Sequence, residues 1–190
     1  MPIDNNSDLT GKLLIATPSM SDPRFSHSVV FLCAHSEDGA MGLIVNKFLG
    51  FMKLSDILAG KEDVKSVDSQ RLPVHFGGPV ERGRGFVLHS SDYHSDEASL
   101  KVTEAFSMTA TLDVLEEINQ DSGPEFAILA LCYAGWGPGQ LETEIKENSW
   151  LIADPVAHLI FVEEDEHKWT EALKQIGVDP QLLSGAAGRA

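Results

Sequence analysis

Positive charge is scarce in this chain. Its 14 lysines and arginines stand against 29 aspartates and glutamates over 190 residues, a formal net charge of −15. A surface of that sign repels phosphate backbones and anionic lipid, so nucleic acid is an unfavoured partner. Cysteine is scarcer still. Cys33 and Cys132 each lie inside an apolar run, the setting of a buried, reduced thiol in a cytosolic protein, although two cysteines leave one pairing open. Long hydrophobic stretches are missing too. The longest, Phe126 to Ala134, has nine residues, under half of what a membrane-spanning helix needs. The start, Met1-Pro2-Ile3-Asp4, has neither the basic opening nor the apolar stretch of a secretory signal. These absences lead to the expectation of a cytoplasmic protein with no membrane contact.

Reaction motifs are equally sparse. No Gly-Lys-Ser/Thr follows a spaced glycine and no Gly-x-Ser-x-Gly elbow occurs. Gly83-Arg84-Gly85 opens like a dinucleotide fingerprint, but Phe86-Val87-Leu88-His89 reads as a strand where a pyrophosphate needs a helix N-terminus. The histidines lack paired cysteines and helical metal-ligand spacing, so no metal, cofactor or catalytic set is expected.

What is present is an ordinary globular composition, 43% hydrophobic and 23% charged, long enough for a core without staples. A single domain over 1–190 is expected, with 1–8 and 184–190 as flexible ends. Lys12 to Ala16 reads as a strand stopped by Thr17-Pro18. Ser28 to Ala34, apolar at both parities, reads as a central strand, and Met41 to Asn46, beyond the turn signal Ser36-Glu37-Asp38-Gly39, as its hairpin partner. Leu54 to Leu58 suggests a short helix and Gly60 to Arg71 a charged loop. Pro73 to Phe76 and Gly85 to His89 flank a glycine-rich loop, Gly77 to Arg84. Leu100, Val102 and Phe106 share one strand parity. Thr109 and Thr111 can cap a helix through Leu112, Leu115 and Ile118, stopped by Gly123-Pro124. Phe126 to Tyr133 is a buried strand, Pro138 to Glu147 a helix, Trp150 to Ala153 a strand, and Trp169, Leu173 and Ile176 one face of a last helix. Without a βαβ rhythm the class is α+β.

Three segments carry candidate binding chemistry. In Asp22-Pro23-Arg24-Phe25 the proline fixes a turn that displays the planar fork of Arg24, suited to a carboxylate or phosphate, unless Asp22 or a distant acid already satisfies it. Gly77 and Gly78 permit close backbone approach. In Gly135-Trp136-Gly137-Pro138-Gly139-Gln140, glycines around one indole either aim free N–H groups toward the next helix or make a tight connection with Trp136 as a core plug. Cys33 and His35, two apart on a strand, share a face and would be reactive as a thiolate beside an imidazolium. The ligand-binding candidates are therefore Asp22, Arg24, Phe25, His35, Gly77, Gly78, Gly135, Trp136, Gly137 and Gln140.

The order of these segments resembles the AlgH/YqgE family of bacterial proteins. The matching pieces include Leu9-Thr10-Gly11-Lys12-Leu13-Leu14-Ile15-Ala16-Thr17-Pro18, Asp22-Pro23-Arg24-Phe25, Cys33-Ala34-His35 and Gly39-Ala40-Met41-Gly42-Leu43-Ile44-Val45-Asn46. Gly77-Gly78-Pro79-Val80 and Tyr133-Ala134-Gly135-Trp136-Gly137-Pro138-Gly139-Gln140-Leu141-Glu142 follow, with Trp150-Leu151. The resemblance runs from about Leu9 to Phe161. It implies a mixed, strongly bent β-sheet forming a pseudo-barrel with helices packed around it, and a transcription-regulator association without any catalytic residue set. Two functions stay open at this point: a non-enzymatic binding or regulatory protein whose three loops share a concave surface for a protein or small molecule, or an enzyme acting on a small anionic ligand, with Arg24 as clamp and Cys33 or His35 as the reactive group. Partner identity and oligomeric state are also open.

Overall fold

The computed structural model describes residues 8–59, 70–95 and 98–183. Most of the expected loop, 60–69, and nearly all of the two expected flexible ends lie outside them. The described chain runs β1 (Leu13–Ala16), β2 (Val29–Ser36), β3 (Gly39–Ile44), β4 (Phe48–Lys53), α1 (Leu54–Ile57), β5 (Arg71–Phe76) and β6 (Val80–Ser90). It continues with β7 (Ser99–Lys101), β8 (Phe106–Thr109), α2 (Asp113–Asn119), β9 (Ala127–Trp136), α3 (Gln140–Lys146), β10 (Trp150–Ala153) and α4 (Asp165–Gln175). Single 3-10 turns occur at Pro23–Phe25 and Pro180–Leu182, and a π-helical turn at His158–Val162.

Strands that are apolar at both parities have both faces covered, and the pairing shows why. β1 lies antiparallel between β2 and β10. Leu13 and Ile15 enter one apolar cluster with Phe31, Leu43, Phe106, Ala172 and Leu173, while Leu14 and Ala16 enter another with Val30, Leu32, Leu141 and Trp150. Each leucine-sized side chain so buried contributes roughly 2 kcal/mol. A third cluster gathers Leu54, Leu72, Val87, Leu115 and Leu129 under α1 and α2.

The sheet curls because one strand serves two branches. The main path runs β10-β1-β2-β3-β9-β6-β8-β7, and β5 joins β9 as a side branch that carries β4. On one side, β9 pairs in parallel with β5 through Leu129, Ala130 and Leu131, then antiparallel with β3 through Ala134, Gly135 and Trp136. Between the two registers lies Cys132, with φ of 64°. At this fork Gly77 donates its N–H to Leu131 O at 2.8 Å and accepts from Ile44 N–H at 2.9 Å, tying the ends of β5 and β3 to the pivot. The result is the expected class, a strongly curled, mainly antiparallel half-barrel with a few helices against it.

Several local expectations are corrected. The Gly77 to Arg84 loop is mostly strand: β6 starts at Val80, and Glu81 to Arg84 form an excursion where its register against β9 shifts from Tyr133 to Leu131. Leu100 and Phe106 belong to two paired strands, β7 and β8, because the chain reverses after Lys101. Thr109 is a buried strand residue bonded to His89, and α2 begins after Leu112 with no side-chain cap. The strand expected to stop at Tyr133 continues to Trp136, since β3 offers a fresh edge to pair with. β4 was not anticipated at all.

Candidate functional site

The residues singled out in sequence come together in part. Asp22 caps the 3-10 turn by accepting from Arg24 N–H at 2.9 Å, and the same carboxylate grips the guanidinium, Nε to Oδ1 at 3.0 Å and Nη2 to Oδ2 at 2.6 Å. The Arg24 hydrogen bond holds the Asp22 carboxyl below the usual carboxylate range, and Asp22 in turn raises the guanidinium. The Arg24 fork is thus closed on its own turn instead of being displayed to an anion.

Phe25, next along, turns inward. Its ring lies 5.6 Å from Trp150 and 6.3 Å from Trp136, and the two indoles meet edge-on at 5.9 Å. Both indole N–H groups donate to Oε2 of Glu144, at 2.9 Å from Trp136 and 2.8 Å from Trp150. Gln140 completes the clasp, donating to Glu144 Oε1 at 2.9 Å and accepting from Gly137 N–H at 3.1 Å. The glycine-flanked indole is therefore a plug, 7% exposed, and the Gly137 N–H that could have met an anion is occupied. Glu144 and Trp150 are the members that sequence reasoning did not assign to this cluster. The i,i+4 spacing of Gln140 and Glu144 on α3 is the signal that could have found the first of them.

Gly77 and Gly78 face backbone. A Cβ on Gly77 would lie 2.4 Å from Cys132 O, and one on Gly78 2.1 Å from Tyr133 C. They are glycines because the fork leaves no room for a side chain. Val80, Gly135 and Trp136 line a shallow groove of about 500 Å³ with the β2–β3 turn, Ser36 to Met41. Of the ten candidates Gly135 and Trp136 line it and Gly77 and Gly78 do not, while Phe25 packs on Trp136. Asp22, Arg24 and His35 are not among its lining residues.

His35 and Cys33 are separated by a β-bulge between Leu32 and Ala34, which breaks the expected shared face. Cys33 enters the cluster of Phe31 and Leu43, where burial pushes its thiol up to about 12. His35 instead reaches α3. Its Nδ1 accepts from Leu9 N–H at 3.1 Å, which leaves Nε2–H to donate to Glu142 Oε1 at 2.8 Å. Glu142 is held low by its own backbone N–H and then by His35. A thiolate–imidazolium pair does not form, and the nucleophile of the enzyme alternative is lost with it.

A second region is open where the first is closed. β4 presents Phe48, Leu49, Phe51 and Met52 to solvent, with Phe51 62% and Leu49 60% exposed. Among the described residues it pairs only with β5, and it bulges between Phe48 and Gly50. The extra residue brings Phe48 and Phe51 onto one side, their rings 5.1 Å apart. They line a groove of about 650 Å³ with Asn46, Pro73, Glu164, Asp165 and Glu166. A smaller hollow of about 410 Å³ shares Asn46, Asp165 and Glu166 and extends past Lys47 to His27 and Trp169. Together they form one trough beneath the start of α4. The run Phe48-Leu49-Gly50-Phe51-Met52 between Lys47 and Lys53 was its visible sign in the sequence.

A buried polar cluster lies against the trough. Asp165 accepts from His75 Nε2 at 3.0 Å on both oxygens and from Lys168 Nζ at 2.7 Å. The ammonium also donates to Val45 O at 2.9 Å and Ile160 O at 2.8 Å, so three acceptors meet three N–H bonds. Burial raises the Asp165 pKa, but His75 and Lys168 outweigh it and leave the carboxyl below its ordinary range. Burial pulls Lys168 down while Asp165 holds it up. His75 Nδ1 is buried with no partner. Phe48 packs over that ring at 5.9 Å.

Against this geometry, comparison with known proteins is informative. A family model described as AlgH-like matches residues 13–181. A UPF0301 protein of Ruegeria pomeroyi is 56% identical over 184 residues, covering 96% of this chain and all of the relative. One from Paracoccus denitrificans is 51% identical, covering 99% of this chain and all of the relative. The solution structure of the AlgH protein from Pseudomonas aeruginosa superposes with a TM-score of 0.77 at 35% identity, each chain fully covered. A crystal structure from Corynebacterium diphtheriae shares the fold with a TM-score of 0.71 at 19% identity over 90% of this chain and 89% of that one. The chain that builds this forked half-barrel belongs to the AlgH-like family.

Proposed function

We propose that this protein is a non-enzymatic binding protein of the bacterial cytosol that engages another protein along the trough beside β4. One observation carries the reading: four large apolar side chains stand exposed on a single edge strand, Phe48, Leu49, Phe51 and Met52, beside a groove of about 650 Å³. Phe48 and Phe51 line that groove with carboxylates on its rim, and exposed apolar surface rimmed by polar groups is the usual mark of an interaction surface. The closed Arg24 fork, the inert Cys33 thiol and the fully bonded His35 support binding over catalysis. Of the regulatory association that the family resemblance implies, protein contact is the form that suits a chain of net charge −15, because direct DNA binding needs a basic surface.

The test is a photoreactive amino acid placed at Phe51 in the intact protein inside bacterial cells, with the same group at Leu182, an exposed apolar residue outside the trough. A discrete crosslinked species from position 51 and none from 182 is expected. No crosslink at 51, or identical patterns from both, removes the reading.

A further inference from the structure

The trough is specific about what can lie in it. Its floor and one wall are apolar, from Phe48, Phe51 and Pro73, and the opposite wall is the first turn of α4 with Glu164, Asp165 and Glu166. Asp165 is already neutralised by Lys168 beneath it. Glu164 and Glu166 are exposed and add net negative charge to the rim. The cation within the adjoining hollow, Lys47, has its ammonium donated to Ser26 O at 2.9 Å. Acids at a helix start favour its dipole, so anions are repelled here twice, by the carboxylates and by the overall charge.

The backbone adds a second constraint. Among the described residues β4 is hydrogen-bonded on one side only, to β5 from Phe48 to Lys53. No other described strand takes its second edge, and an unpaired sheet edge is the arrangement that accepts extended peptides. Natural edges are blunted by lysines and bulges. β4 has Lys53 at its end and a bulge after Phe48, yet keeps its apolar side chains outward.

We propose, resting on the binding reading above, that the occupant is an extended segment of a partner protein, added as a strand beside β4, in which lysine or arginine and apolar residues take turns at every second position and so share one strand face. Its apolar side chains cover Phe48 and Phe51, and its cations meet Glu164 and Glu166. A second copy of this chain fits less well, because it would bring another acidic rim and another −15 of charge to the same place.

The experiment uses the full-length protein and labelled peptides of about twelve residues, long enough to span β4. One places lysine and valine in turn at every second position with threonine between, one has glutamate in place of those lysines, and one is the lysine peptide N-methylated along one edge. Binding is read by fluorescence anisotropy. The lysine peptide is expected to bind about tenfold more tightly than either comparator and to weaken as salt is raised. Phe51→Asp, at an exposed position that leaves the core intact, abolishes binding. Glu164→Lys with Glu166→Lys reverses the preference between the lysine and glutamate peptides, whereas Glu37→Lys with Asp38→Lys, an acidic turn outside the trough, leaves it in place.

Equal response to the two charge-reversed pairs would mean attraction to overall charge, and would overturn the proposal. So would undiminished binding of the N-methylated peptide, or sedimentation showing a dimer that Phe51→Asp dissociates. If these peptide results fail while the crosslink at position 51 persists, the chemistry of the partner is wrong and the binding reading stands. If the crosslink is absent, the reading itself falls.

Discussion

Glu144 and Asp165 do similar work in different surroundings. Each is a carboxylate that gathers several donors, Glu144 from Trp136, Trp150 and Gln140 within eight positions of it, Asp165 from nearby Lys168 and from His75, 90 positions away. Around Glu144 the aromatic rings turn inward, and both indole N–H groups, the Gln140 amide and the Gly137 N–H are all bonded. Around Asp165 the rings of Phe48 and Phe51 turn outward, and the carboxylate remains at the edge of a trough. The motif richest in glycine and aromatics is packed closed, whereas the open surface is made from residues without such backbone chemistry. Backbone-special sequence marks a place where chains must approach closely, which is not the same as a place where a ligand binds.

That contrast can be broken by substitution. The largest effect is expected at the closed end, where Trp150→Ala removes a ring that is 2% exposed and should cost about 3 to 5 kcal/mol in denaturant unfolding. A loss below about 1 kcal/mol would mean that the clasp does not hold the fold. Next comes Lys168→Ala, which strands Asp165 and His75 without their cation. A cost of about 2 to 3 kcal/mol is expected, reduced from the fully buried case because Asp165 keeps some contact with water.

A pH series sharpens the same point. The folded pKa of Asp165 is lowered, so its ionised form is favoured by folding. That stabilisation is complete above the unfolded value of about 4 and disappears as pH falls through the lower folded value. Unfolding midpoints measured from about pH 6 down to about pH 2.5 should fall less steeply for Asp165→Asn than for the parent chain. Parallel curves would show that the cluster contributes nothing to acid sensitivity. The smallest stability effects belong to Phe51→Ala, within about 0.5 kcal/mol, and to Arg24→Ala, for which no measurable change is expected. The two variants should differ sharply in partner capture. Phe51→Ala loses the binding and Arg24→Ala keeps it, and loss of capture with Arg24→Ala would return the Asp22 turn to the site.

The physical causes of what sequence could and could not reveal are visible at individual residues. β1, β2, β9 and β10 were legible because burial on both faces leaves unbroken apolar runs such as Leu13 to Ala16. The last helix was legible from Trp169 and Leu173. The bent sheet was supplied by the family resemblance, since nothing in residue spacing announces that β9 will serve two branches. β4 was illegible because its apolar residues face solvent around Gly50, so there is no alternation to read. Thr109 looked like a cap because a threonine before a helical pattern usually is one; here the strand pairing with β6 prevails. Phe25, Trp136, Gly137 and Gln140 were legible as special positions in two separate segments, and the structure packs them into one clasp. His75 and Asp165 are 90 positions apart, and only the folded chain introduces them.

The shared position of β9 also bears on how the chain assembles during synthesis. Both branches of the sheet wait for a strand that begins at Ala127, and β1 waits longer still for β10 at Trp150. Until roughly two-thirds of the polypeptide has emerged, the early strands have no lasting neighbour on one side. Such late closure makes folding slow and leaves sticky edges uncovered meanwhile. Nascent chains of this protein should therefore depend on chaperone shelter until the pivot strand leaves the ribosome.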